Sequence, residues 1–255
     1  MRAALRVEWL KLRRSRVTLV ATILMGLLLP ALGLGFYNVA INGGVGALAD
    51  KAAAFLVGEG WVGYLGLVDQ IAAVAVFLGA GVVVAWVFGR EHVDRTFASL
   101  FALTVPRATI ALAKFMVLSV WIVVLAVVIG GVAVFFGVVG GVGPLHAAVV
   151  GGATTRLMII AVSSGLLALT MGYAASVGRG YLPAIAAMSV IIASAQVAVL
   201  FGTGGWFPFA VPGLIAVAGA EGAPDLSPAQ IGLVPIVALA SIWVTTRWWA
   251  KTEVV

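Results

Sequence analysis

Five titratable side chains fall within six positions of the stretch GREHVDRTFASL, residues 89–100: Arg90, Glu91, His92, Asp94 and Arg95. A histidine set between two carboxylates is material for general acid–base catalysis. The same density of charge also suits a solvated loop or a docking surface for another protein. The rest of the chain has to decide among the three. Only 9% of its 255 residues are charged and 63% are hydrophobic, and the mean hydropathy is +1.20. Such a chain has no polar skin to present to water, so its solvent is lipid.

Catalysis inside a membrane needs a nucleophile with its base, or a set of metal ligands, around one cavity. The two histidines, His92 and His146, flank different apolar runs and fall on opposite sides of the membrane in the topology below. Cysteine is absent, which removes thiolate chemistry, disulfides and Cys zinc sites. Ser163-Ser164-Gly165 resembles a serine motif, but no histidine shares its depth, and serine in an apolar helix ordinarily bonds to a neighbouring helix. No G-x-x-x-x-G-K-[ST] occurs, so the chain has no phosphate-binding loop for ATP. It is expected to be no enzyme and to bind no cofactor itself.

The alternative function is an ion-coupled secondary carrier or channel, and such a carrier usually places ionisable groups inside the bilayer. None is expected near mid-span here; Asp69 is the nearest, at the outer end of the second span. Ser189 and Gln196 dominate the polar content of the fifth. They are the candidate substrate path, with interhelical hydrogen bonding as their competing role.

The elements that position these residues follow from length. About 20 mostly apolar residues cross roughly 30 Å of hydrocarbon, and six segments qualify: 17–37, 67–89, 111–136, 157–177, 181–202 and 231–246. Pro183 and Pro235 are expected in first turns, where a missing N–H costs little. The fold class is therefore an all-α integral membrane protein of six helices, one domain over residues 1–255. Segment 206–220 is apolar but short and interrupted by Pro208 and Pro212. It is expected to be a re-entrant outer hairpin before the last helix, or to lie at the outer interface.

Thirteen of the fifteen Lys and Arg residues lie on one side of this topology, with Lys51 and Arg156 expected outside. The positive-inside rule then makes both termini cytoplasmic. It also accounts for the pI near 10.2 without nucleic acid as a partner. Arg13-Arg14 before an apolar run imitates a twin-arginine signal, but the run is span-length with no small-residue cleavage site, so an uncleaved first helix is expected.

The positive-inside rule covers Arg90, Arg95, Arg107 and Lys114, but not Glu91 and Asp94. From Asp94, DRTFASLFAL reads as a short helix capped by Asp94 and stopped by Pro106. Phe97, Leu100 and Phe101 share one face at i, i+3, i+4 spacing. That face suits the bilayer surface or a groove on a partner equally well. On the N-terminal helix, Leu5, Trp9 and Leu12 form one stripe with Arg2, Arg6 and Arg13 beside it, an arrangement suited to the headgroup boundary.

Residues 88–114, FGREHVDRTFASLFALTVPRATIALAK, resemble the intracellular loop of ATP-binding-cassette permeases of the type-2 exporter family. The matching residues are Glu91, Thr96, Pro106, Arg107 and Lys114, with Arg95 where a glycine commonly stands. EWLKLRRSR, residues 8–16, is similar to the family's N-terminal interfacial connecting helix, with Glu8, Trp9, Arg13 and Arg14. The resemblance implies a cytoplasmic coupling helix of Glu91, Asp94, Thr96, Phe97, Leu100 and Phe101 docked on a partner. It implies two nucleotide-binding ATPase subunits holding ATP and Mg, a second permease copy or sister permease, and export across a bacterial inner membrane.

The topology is directly testable, because a chain without cysteine reports cleanly from single introduced ones. Ser99→Cys should be labelled only from the cytoplasmic side, and Ala47→Cys and Ala223→Cys only from outside. Cytoplasmic labelling at Ala223→Cys would make segment 206–220 a span and refute the six-helix arrangement.

Overall fold

The computed structural model describes residues 1–42, 46–94 and 105–252, and among them every regular element is helical. The helices are α1 (Arg2–Arg13), α2 (Arg16–Ile23), α3 (Leu29–Ile41), α4 (Ala47–Phe55), α5 (Gly60–Val93) and α6 (Arg107–Val139). After them come α7 (Ala147–Ala168), α8 (Met171–Val177), α9 (Leu182–Leu200), α10 (Val211–Ala216) and α11 (Pro228–Lys251). Six stretches are long and apolar enough to cross a membrane: α2–α3, α5, α6, α7–α8, α9 and α11. Each expected span is present, and most extend beyond their apolar windows. Hydropathy sees the segment that meets hydrocarbon, whereas the helix continues to its cap.

Those extensions correct several expectations. α5 begins at Gly60 and α7 at Ala147, so Asp69 and Arg156 lie within their helices rather than at the helix ends. α11 begins at Pro228, where Ser227 and Gln230 form a capping box. Pro235 is therefore interior rather than in the first turn. Segment 206–220 forms a turn at Gly204–Trp206 and the six-residue α10. At about 9 Å, α10 is far too short to span, and it packs on α5 and α7 with Val211 and Leu214 buried.

The first span is not one regular helix. A π-turn, Leu24–Leu28, separates α2 from α3. Pro30 follows, and it has no N–H to offer the carbonyl of Gly26 and would crowd it. Widening the preceding turn relieves both problems.

α5 is the central pillar: 61% of its apolar window is buried, against 17% for α9 and α11. The last two expose Leu182, Val190, Leu239 and Trp243, as helices in contact with lipid do. Small residues set the close approaches. Gly165 of α7 faces Ile122 of α6, and a Cβ there would lie 2.5 Å from the Ile122 side chain. Beside it, Ser164 donates to the Ala73 carbonyl of α5 at 2.9 Å, bonding two helices where the sequence imitates a nucleophile.

Gly165→Leu should wedge α6 from α7 and cost about 1–3 kcal/mol. Gly151, which has open space around it, provides the control: Gly151→Leu should stay within about 0.5 kcal/mol. Unfolding in detergent micelles checks both, and equal effects would contradict the close packing described.

Candidate functional site

Four charges from three helices converge where α1, the end of α5 and the start of α6 meet. The Lys114 ammonium is completely enclosed. Its Nζ donates to Glu91 Oε1 at 2.7 Å, Glu8 Oε2 at 3.0 Å and the Val87 carbonyl at 3.4 Å. Three donors thus find three acceptors, the full capacity of an ammonium. Lys11 closes the cluster from its edge, 2.9 Å from Glu8 and 3.6 Å from Glu91. The formal charges cancel. Beside the cluster only about 10 Å³ remains empty, room for one water at most.

Local sequence explains the convergence. Ala4, Glu8 and Leu12 recur every fourth residue and form the buried face of α1. Of the stripe Leu5, Trp9 and Leu12, Leu12 is buried and Trp9 is 42% exposed, while Glu8 turns inward to the enclosed ammonium. Arg13 and Arg14 are exposed. Arg90, one residue before Glu91, turns away and lies 4.6 Å from the Trp86 ring centroid.

Asp94 closes α5, its backbone N–H returning to the carbonyls of Arg90 and His92. The helix that Asp94 is expected to cap, and Thr96, Phe97, Leu100 and Phe101 with it, lie outside the described residues. On the far side of that stretch a second anchor stands. Arg107, the first residue of α6, donates to the Ala250 carbonyl at 3.4 Å and to the Thr252 carbonyl, at the end of α11. Nearby, Trp249 Nε1 donates to Ser176 Oγ at 2.9 Å, joining α11 to α8, and the Trp249 ring meets Phe88 edge-on. The stretch 95–104 is therefore bracketed by two polar joints, one to α1 and one to α11.

The opposite half of the bundle holds a cavity of about 770 Å³. Phe36, Phe77, Phe209 and Ile192 contribute to an apolar wall, with Lys51, Gln70 and Gln196 as its polar groups. Gln70 also donates to the Phe55 carbonyl at 2.9 Å, tying α4 to α5 at the cavity's edge. Of the two candidate path residues, Gln196 lines this space. Ser189 instead faces outward and bonds its own helix at Ile185.

The fold pairs two charges that the sequence leaves far apart. Arg156 Nε donates to Asp69 Oδ2 at 2.7 Å, and the Asp69 side chain is fully buried. Each residue sits about 14 Å along its helix from the nearer end, at 1.5 Å per residue. A net-neutral pair escapes a reading based on hydropathy windows, which score each charge alone.

Removing one partner of the Lys114 cluster should be far worse than removing them all. Lys114→Met leaves two buried carboxylates with Lys11 alone and should cost about 3–5 kcal/mol. Converting Glu8, Glu91 and Lys114 together to methionine should recover most of that loss. Equal destabilisation by the single and triple variants, measured by unfolding in detergent, would contradict a mutually compensated cluster.

No curated protein matches the chain. The family described as ABC-2 family transporter protein matches residues 4–196, a range that takes in the Lys114 cluster and Gln196 of the cavity wall. The chain belongs to the ABC-2 family of transporter proteins, as a multi-pass membrane component.

Proposed function

We propose that this chain is the permease subunit of an ATP-driven exporter in a bacterial inner membrane, with both termini cytoplasmic. Two nucleotide-binding ATPase subunits, which hold ATP and Mg, dock on segment 94–104, and a second copy or a sister permease completes the path. The observation that carries this reading is the pair of joints around that segment. Glu91 and Lys114 tie its flanks to Glu8 of α1, and Arg107 ties its far end to α11. A force applied to the segment by a partner enters α5 and α6 through the backbone and reaches α1 and α11 through these paired side chains.

The cavity is the proposed cargo space. Its volume suits a small molecule, and its few polar groups suit hydrophobic or amphipathic cargo. Gln196 would contact that cargo, whereas the outward-facing Ser189 would not.

The buried Asp69–Arg156 pair favours a second reading, an ion-coupled carrier, because ionisable groups within a bundle serve proton and cation pathways. The two readings part experimentally. Reconstituted alone, the chain should neither hydrolyse ATP nor move cargo down a proton or sodium gradient. Co-expressed with its ATPase, it should form a complex whose transport stops when the partner's phosphate-binding lysine is replaced. Phe97→Ala with Phe101→Ala should abolish transport while leaving the permease folded, since buried aromatics contribute about 2 kcal/mol or more each at such interfaces. Gradient-driven transport by the chain alone, lost in Asp69→Asn, would install the carrier in the exporter's place.

A further inference from the structure

An open groove of about 480 Å³ runs between α8 and α11 near the C-terminal end of α11, on the outer surface of the bundle. Tyr173 of α8 forms one wall, and Trp243, Arg247, Trp248 and Lys251 of α11 form the other. Trp243, Arg247 and Lys251 are spaced by four residues, so they stack along one helix face. The Arg247 guanidinium lies 5.6 Å from the Trp243 ring centroid, and both cations are exposed. No described carboxylate lies within 4 Å of either one.

Cations in the last turns of a helix ordinarily serve its unpaired carbonyls and the negative end of its dipole. Here that work is done from another element. Arg107 of α6 reaches the carbonyls of Ala250 and Thr252, which leaves the charges of Arg247 and Lys251 facing the groove. Aromatic rings mark headgroup depth, because one end of each is apolar and the other wet. A guanidinium and an ammonium one turn apart then present donors to a phosphodiester, and the Tyr173 and Trp243 faces present apolar surface to the chains below it.

We infer that this groove is a binding site for one anionic phospholipid of the adjoining leaflet, its phosphate held between Arg247 and Lys251 and an acyl chain lying against Tyr173 and Trp243. The site goes beyond the exporter reading and does not depend on it. A bound lipid would brace α8 against α11 on the lipid side, opposite the buried Trp249–Ser176 bond.

Native mass spectrometry of the purified chain, equilibrated with phosphatidylglycerol or phosphatidylcholine, tests the site whichever leaflet it faces. The wild type should retain phosphatidylglycerol in preference. Lys251→Gln should weaken that retention roughly 5-fold, and Arg247→Gln with Lys251→Gln about 25-fold, with phosphatidylcholine unchanged. Arg13→Gln with Arg14→Gln removes two exposed cations elsewhere and should leave phosphatidylglycerol retention within about twofold. Equal retention of the two lipids by the wild type would overturn the proposal. So would equal losses in the two double variants, which would reduce the effect to diffuse charge. Displacement of phosphatidylglycerol by millimolar glycerol phosphate would overturn the lipid assignment in favour of a soluble phosphate.

Discussion

An ammonium sealed away from water must be neutralised where it sits, and Lys114 is sealed completely. That constraint organises one end of the molecule. It draws Glu8 onto the buried face of α1 and Glu91 onto that of α5. It thereby fixes the N-terminal helix against a bundle that it would otherwise meet mainly through Ala4, Leu5 and Leu12. Hydrophobic association offers little help here, since lipid is as apolar as a leucine side chain. Buried ion clusters are poor sources of net stability but strict about geometry, because a displaced partner leaves a charge stranded. A joint of that kind moves as a unit or breaks.

α5 connects this joint to the rest. The same helix that carries Glu91 lines the cavity at Leu67, Gln70 and Phe77, about 30 Å away from Gln70 along a continuous helix. α5 packs on α6 and α7 along the way, and under the proposed function movement at the Lys114 end would reach the cavity as tilt or translation of this helix. Gln70 passes it on to α4 through the Phe55 carbonyl. The fully buried Asp69, held by Arg156 of α7, ties α5 to α7 at the cavity end.

Much of this was legible in the sequence, and the failures share a cause. Six apolar windows sufficed for six helices, because backbone groups in lipid leave no other choice. Glu91 and Lys114 were singled out through a family resemblance, and Glu8 beside them, but their contact was invisible: it joins residues 8, 91 and 114 across three helices. Lys11 had no signal beyond its three-residue spacing from Glu8. Hydropathy windows score Asp69 and Arg156 singly, which hid their pairing. In each case a pairwise charge interaction overrode a property summed residue by residue. The 770 Å³ cavity had no one-dimensional signature at all, since its walls come from α3, α4, α5, α9 and α10.

The central claim is that the Lys114 cluster transmits force rather than merely holding helices together. Methionine at positions 8, 91 and 114 removes the charges while keeping volume, so folding and transmission can be separated in one protein. The decisive measurement is cargo transported per ATP hydrolysed by that triple variant, reconstituted with the proposed ATPase subunits. The account predicts an assembled complex that hydrolyses ATP but transports at least about 10-fold less per turnover than the wild type. Transport per ATP equal to that of the wild type would contradict it and reduce the cluster to a structural clasp.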